Sequence, residues 1–529
     1  MHLEKPEPGE RHSAAALASE ARSNAQTGAL LRRVRSAFQR KWVWSIVCAL
    51  MAGFALRIVW IVFWADFDGD SEVYAILARN MLVHRAYALD NPFHLTLIRL
   101  PGYPVFMAAV FSVFRTMNYG AVRYVQAFVD MGSCLLVAGF VRNRVSRRAA
   151  LVALWIACLC PFTANYTAVP LTECPQIFLV ALGLFSAERL IRSINTLSQG
   201  RTAWLLLTIA ALICAIGLRP DGILLWAAIV PGIWWYTRKY APAVGLRNAL
   251  LCGVLALLPL VPWTIRNYRV YHVFQPLAPR SAMDPTETSL AGYDRWTTTW
   301  EIDYVSLGEI WWRGDGLDID IGLLPSRAFG SAEEYRLTAA LIAENNELRT
   351  ITPELDARFE TLAEQRIHRH PFRQYVALPM ARLADMWFRP RIEYLNDAVP
   401  QRWWEWRLHP GQSLFAAAYG MVNLLFLIAA AVGFVRRKVP LQAMLMAYVV
   451  LRCLVLLSMP NAEPRYTLEA FPIVIVAAAV AFFPSRHRKR HELDELDDSL
   501  FEGSLTTPPA YAPGDARGAG GPVRAPLPR

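Results

Sequence analysis

The sequence predicts an all-α polytopic membrane protein of about ten spans, with a smaller mixed domain outside the bilayer. Three observations carry this reading. Of 529 residues, 55% are hydrophobic and 18% are charged, where a soluble domain carries about 25% charged residues. The apolar residues fall in runs of roughly membrane-spanning length, separated by short charged joints. The basic joints RNRVSRR (142–148), VRRK (435–438) and RHRKR (486–490) all fall on one side when the runs are threaded through a bilayer, which is the positive-inside pattern. The net charge of +11 is therefore read as membrane topology and not as a nucleic-acid surface.

Taken in order, residues 1–41 are polar, Arg-rich and without an apolar h-region. They are expected to be a disordered, basic, cytoplasmic segment and not a cleaved leader. The run 42–65 leads outward and 122–141 returns, so 66–120 is external. Within it, 105–114 is too short to span and is expected to be an interfacial or re-entrant helix. The runs 149–167, 174–190, 202–217, 223–236 and 246–265 continue the alternation, so 42–265 forms a transmembrane module. Residues 266–411 form the external domain. It is Trp-rich, with helical patterning at 333–344 and 353–368, where Thr352 suits the cap and Pro353 the first turn. Its tryptophans are expected at headgroup level, with an aromatic surface for sugar or lipid as the alternative. The segment 412–484 returns to the membrane through 413–434, 441–459 and 467–483. Residues 485–529 are expected to be a disordered cytoplasmic tail, which places both termini inside. The eight cysteines avoid 266–411 and are read as small membrane-core residues, not as disulfides or a zinc site.

The residues able to do chemistry gather on the non-cytoplasmic side. Asp66, Asp68, Asp70 and Glu72 lie within DFDGDSE, just outside the first span. Asp70 suits a helix N-cap and Glu72 the first turn, yet four acids exceed what one cap needs. A carboxylate beside lipid is expected to gain proton affinity, as a general base requires. Glu173 in PLTEC sits on the same face. So do Arg99 in RLPGYP, Arg219 in RPDG, Arg266 in PWTIRNY and Arg465 in EPRY. Each arginine suits interfacial anchoring, and together they suit a phosphate held at the membrane surface. Arg57 and Arg452 lie within apolar runs, where function and snorkelling both remain open. His368 and His370 are two residues apart and diverge on a helix, so a divalent ion among the acids fits better than one there.

These segments resemble the membrane-embedded GT-C glycosyltransferases, in particular the bacterial glycosyltransferase family 39 type. That group is related to the protein O-mannosyltransferases and to the aminoarabinose transferase of lipid A. The resemblance rests on DSEVYAILA (70–78), R-x-PGYP (99–104), LTE ending at Glu173, PWTIRN (262–267) and EPRYTLEAFP (463–472). It covers 42 to about 271 and the last two spans; 272–411 resembles nothing in that group.

The resemblance implies a GT-C-like helical bundle in the inner (plasma) membrane. It implies inverting transfer of a sugar from a polyprenyl-phosphate donor to a hydroxyl on a lipid, glycan or protein. By motif position Asp70 is the base candidate. Glu173 would orient the acceptor or help hold a metal. Arg99, Arg219, Arg266 and Arg465 would meet the donor phosphate, and Tyr74 and Tyr103 would line the site. Asp221, Asn267, Glu463 and Tyr466 belong to the same motifs and are candidate substrate contacts. The related lipid A enzyme has a neighbouring Asp-Glu pair where this chain reads DGDSE, so Asp68 and Glu72 remain alternative bases. A transporter or flippase for a lipid-linked or anionic substrate is the rival class. Transporters place polar groups near the midplane on broken helices of repeated halves. Convergence of Asp70, Glu173 and Arg465 on one site separates the two.

Overall fold

The computed structural model describes residues 41–89, 94–280, 283–285, 290–314, 316–395, 399–436 and 439–483. Residues 1–40 of the N-terminal segment, part of the VRRK joint and the tail 485–529 lie outside them. Among the described residues the fold is all-α, with one isolated bridge between Ala88 and Leu95 and no strand.

Among the described residues six helices are long and apolar enough to cross a membrane: Lys41–Phe63, Tyr119–Arg144, Arg201–Leu218, Pro242–Tyr271, Pro410–Arg436 and Pro464–Ala481. We label Lys41–Phe63 α1, and then α2 Gly69–Val83, α3 Gly102–Phe114, α4 Tyr119–Arg144, α5 Arg147–Cys158 and α6 Pro161–Asn165. There follow α7 Glu173–Asn195, α8 Arg201–Leu218, α9 Ile223–Thr237, α10 Pro242–Leu257 and α11 Leu260–Tyr271. The other expected runs are helical too. The 149–167 run is broken into α5 and α6 because Pro161 occupies the first turn of the second piece. Helix α7 has 23 residues and carries Glu188, Arg189 and Arg192 near its basic end.

One hydrophobic core runs through these helices. Its centre is α7 together with α19 (Phe471–Ala481). Helix α19 is apolar all round, the signature of a helix enclosed by others. It lies against α17 (Pro410–Arg436) so closely that a Cβ on Gly433 would stand 2.0 Å from the Ala477 carbonyl oxygen. Only glycine permits that approach, as in small-residue helix contacts within lipid. Arg57 of α1 does not snorkel. It is fully buried and pairs with Asp130 of α4 at 2.5 Å, and it donates to the carbonyls of Gly53 and Cys158.

The polar region is helical, where a mixed domain was expected. It comprises α12 Ala291–Thr298, α13 Tyr304–Glu309, α14 Ala332–Leu348, α15 Pro353–Arg369 and α16 Leu378–Phe388. Helices α14 and α15 cover the two helical stretches read from the sequence, and Thr352 caps α15 by accepting from the Leu355 N–H. This region has its own core of Tyr293, Trp296, Trp300, Leu355 and Phe359. Trp296 and Trp300 are thus core residues and not headgroup anchors: Trp296 of α12 packs against Phe359 of α15, and Trp300 packs against Trp296. Helix α18 (Gln442–Leu457) and a 3-10 turn at Pro464–Ala470 complete the chain before α19.

Candidate active site

The first acidic loop is organised by its own helix start. Asp68, and not Asp70, caps α2: its Oδ1 accepts from the Asp70 N–H at 2.8 Å, and Ser71 closes the capping box. This leaves the Asp70 side chain unused by the cap, in the first turn, facing other loops. The other oxygen of Asp68 accepts from the Tyr394 hydroxyl at 2.7 Å.

Asp70 stands between two arginines. Arg99 donates to Oδ1 at 2.6 Å and Arg465 to Oδ2 at 3.2 Å. Burial alone would raise the Asp70 carboxyl. Arg465 and then Arg99 outweigh it and hold the group at about 2. The raised proton affinity expected from a lipid-edge location is therefore overturned, because charge pairing defeats desolvation.

Glu173, which begins α7, is 2% exposed, so it is not a solvated loop residue. Arg219 donates to it at 2.7 Å and to the Thr172 hydroxyl at 2.9 Å. Arg219 also pairs with Asp221 at 3.2 Å and with Glu469 at 3.0 Å. Arg452 of α18 meets the same two acids, Asp221 and Glu469, so it too is paired and not snorkelling. Arg465 joins the halves. It pairs with Glu463 at 2.5 Å, lies 3.9 Å from Glu173 and reaches Asp68 and Asp70. Tyr466 donates its hydroxyl to Glu463 at 2.5 Å, and its ring lies beneath Arg219 and Arg465. Burial raises the Glu463 carboxyl against the pull of Arg465.

The cluster has a depth axis. The Asp70 and Arg99 side chains are 27% and 21% exposed, whereas Arg452 and Glu469 are 1% and 0% exposed. The outer end can meet a substrate, while the inner end fixes the loops that carry it. Tyr74 packs edge-on to Tyr103 with ring centroids 4.9 Å apart, and Arg99 lies 6.0 Å above the Tyr74 ring. Tyr103 is one layer behind and donates to Gln126 at 2.7 Å.

Three expected contributors stand elsewhere. Glu72 is exposed on α2, since two residues along a helix turn it away from Asp70. Arg266 donates to the carbonyls of Thr96 and Tyr87 and to the Asn267 side chain. Asn267 donates to the Gln275 carbonyl. Arg266 thereby braces the segment leading to Arg99, whose own carbonyl accepts from Tyr87. Two contributors were missed. Glu469 is an acid in an apolar run, a signal that could have found it. Tyr394 arrives from the polar region with no local signal. The carboxylates of the cluster are turned to arginines, and among the described residues no group of three or more His, Cys, Asp or Glu could hold a metal. The residues as arranged do not fit the divalent ion considered from sequence.

No family model and no curated protein sequence matches the chain. Solved structures do align with it. The archaeal oligosaccharyltransferase AglB from Archaeoglobus fulgidus, in complex with an inhibitory peptide and a dolichol-phosphate, is 12% identical. That alignment has a TM-score of 0.48 and covers 89% of this chain and 52% of that one. The apo form of the A. fulgidus oligosaccharyltransferase is 13% identical with a TM-score of 0.46, covering 89% and 53%. The chain thus spans about half the length of these oligosaccharyltransferases. ArnT from Cupriavidus metallidurans bound to undecaprenyl phosphate is 12% identical with a TM-score of 0.33, covering 88% of this chain and 81% of that one.

Proposed function

We propose that this chain is a membrane glycosyltransferase. It moves a sugar from a polyprenyl-phosphate donor to a hydroxyl acceptor on the non-cytoplasmic face of the plasma membrane, with inversion. The observation that carries the proposal is Asp70 held between Arg99 and Arg465 at the accessible end of a buried charge cluster. A transporter reading places such groups near the midplane; here they come from loop 66–99, the start of α7, the α8–α9 turn and the 463–469 turn.

The paired state suggests how donor and base are coupled. The donor phosphodiester, a monoanion with two free oxygens, offers Arg99 and Arg465 a bidentate partner in place of the carboxylate, and the phosphate gains its second negative charge as the sugar leaves. As the arginines turn to phosphate, Asp70 loses the charges that hold its proton affinity down. The acceptor hydroxyl oxygen then bonds to the anomeric carbon from the face opposite the phosphate. The carbon–oxygen bond to phosphate breaks and its electron pair leaves with the phosphate. The hydroxyl proton passes to Asp70, with Asp68 as the neighbouring alternative. Glu173 acts through Arg219, orienting it, and does not itself take the proton. Lipid, glycan and protein hydroxyls all satisfy this chemistry.

Membranes containing the protein, supplied with a labelled polyprenyl-phosphate sugar, test the proposal. Asp70→Asn is expected to lower transfer by about 10²–10⁴-fold, the usual worth of a positioned base. Undiminished transfer in that variant removes Asp70 from the role. No transfer by the unaltered protein from any polyprenyl-phosphate sugar removes the function.

A further inference from the structure

The polar region carries a second basic constellation, apart from the cluster described above. A cavity of about 140 Å³ opens at the end of α15, lined among others by Glu334, Arg366, Arg369, His370, Arg373 and Gln374. Arg366 forms its floor. Its guanidinium is spent on the Thr299 hydroxyl, the Ala328 carbonyl and the Glu334 carboxylate. Arg369 reaches the same carboxylate at 3.5 Å. Two guanidiniums therefore share one acid, and a third, that of Arg373, lines the same cavity. Arg373 gives one donor to the Arg327 carbonyl at 2.9 Å, which is one of the five an arginine holds. Burial, then Arg373 and Arg369, lowers the proton affinity of Arg366, as crowded like charge must. An anion entering the cavity would relieve that crowding.

The same segment also carries bare apolar side chains. Phe372 and Tyr375 are 72% and 67% exposed, and Val376 and Met380 are exposed beside them. A water-facing surface rarely keeps such a contiguous patch without a partner. Helix α16 continues the segment and packs against α18 and the 464–470 turn. There Met386 meets Leu456 and Ala462. Leu456 lies at the end of α18 that faces the charge cluster, so the bare stripe stands near the membrane–water boundary.

We propose that residues 369–380 form a binding site for an anionic phospholipid. Phe372, Tyr375, Val376 and Met380 enter the interfacial layer, and Arg369, His370 and Arg373 hold the headgroup phosphate in the cavity. Apolar contact and cationic cavity on one short segment match the two ends of such a lipid, and a free anion would use only one of them. The site is independent of the sugar-transfer reading and does not use its residues.

The test uses the full-length protein purified in detergent, titrated with short-chain phosphatidylglycerol, phosphatidylcholine or inorganic phosphate and read by native mass spectrometry. Phosphatidylglycerol is expected to bind most tightly. The Arg369→Gln/Arg373→Gln variant is expected to weaken it about tenfold, and Phe372→Ser/Tyr375→Ser is expected to weaken it as well. Because lipid phosphate can also reach the Arg99–Arg465 cluster, the difference between variant and unaltered protein is the quantity read. Equal phosphatidylglycerol affinity in the arginine variant overturns the proposal. So does inorganic phosphate binding as tightly as the lipid, which would make the cavity a free-anion site. Arg369→Gln alone, at an exposed position, keeps the comparison decisive if the double variant does not fold.

Discussion

Asp70 accepts from two guanidiniums while still reaching solvent, and that pairing governs how it titrates. Its ordinary value near 3.8 falls to about 2. The pairing therefore stabilises the fold in full above the ordinary value and is lost only as pH falls toward about 2. The same depression bears on activity. If ionised Asp70 is the base, the free enzyme keeps it ionised down to about pH 4, so kcat/KM is expected to lack an acid limb between about pH 4 and 8 from this group. Glu463 behaves oppositely, since burial raises its carboxyl. A limb inside that window that disappears in Glu463→Gln would assign the proton transfer to Glu463. Arg465 touches Asp68, Asp70 and Glu463 at once. Its replacement by Met is expected to abolish transfer and also to destabilise the protein by about 3–5 kcal/mol, because buried Glu463 is left without its cation. Transfer assays and detergent melting curves separate the two effects.

At the scale of elements, two contacts set the bundle's geometry by different means. Arg57 and Asp130 join α1 to α4 inside the apolar core, both almost fully buried. Removing one partner costs far more than removing both, since a lone buried charge has nothing to offset its desolvation. Asp130→Asn is expected to cost about 3–5 kcal/mol, and the double change Arg57→Met/Asp130→Leu is expected to recover most of that in thermal melts. Recovery no better than the single variant would mean that the pair does more than satisfy itself. The α17–α19 contact relies instead on the missing side chain of Gly433. Gly433→Ala forces a methyl against the Ala477 carbonyl and is expected to cost about 1–3 kcal/mol by overpacking. Both joints were only partly legible in the chain. Arg57 is conspicuous in its apolar run, but nothing local indicates that its partner is 73 residues away. Gly433 is one small residue among many.

For the whole molecule, the grouping of the charged loops was the legible property. Charged joints are local in sequence, and a bilayer converts their alternation into two faces, so Asp70, Glu173, Arg219 and Arg465 could be grouped before any contact was known. Pairing within the group was not legible. It depends on Asp68 taking the cap of α2, on Tyr394 arriving across 326 residues, and on Glu469 lying hidden in an apolar stretch. The grouping itself makes a topological prediction. Exposed Glu347 lies on α14 in the polar region, and exposed Ser198 lies in the joint between α7 and α8 beside Arg192 and Arg201. An odd number of crossings separates the two in the threading that keeps basic joints together. A membrane-impermeant maleimide is therefore expected to label Glu347→Cys in cells with an opened outer envelope, and to label Ser198→Cys only after the plasma membrane is permeabilised. Each substitution belongs in a background without the eight native cysteines, two of which, Cys48 and Cys214, are exposed on the bundle surface. Labelling of both sites before permeabilisation would place them on one face. That would separate the charge cluster from the non-cytoplasmic side even if its chemistry stood.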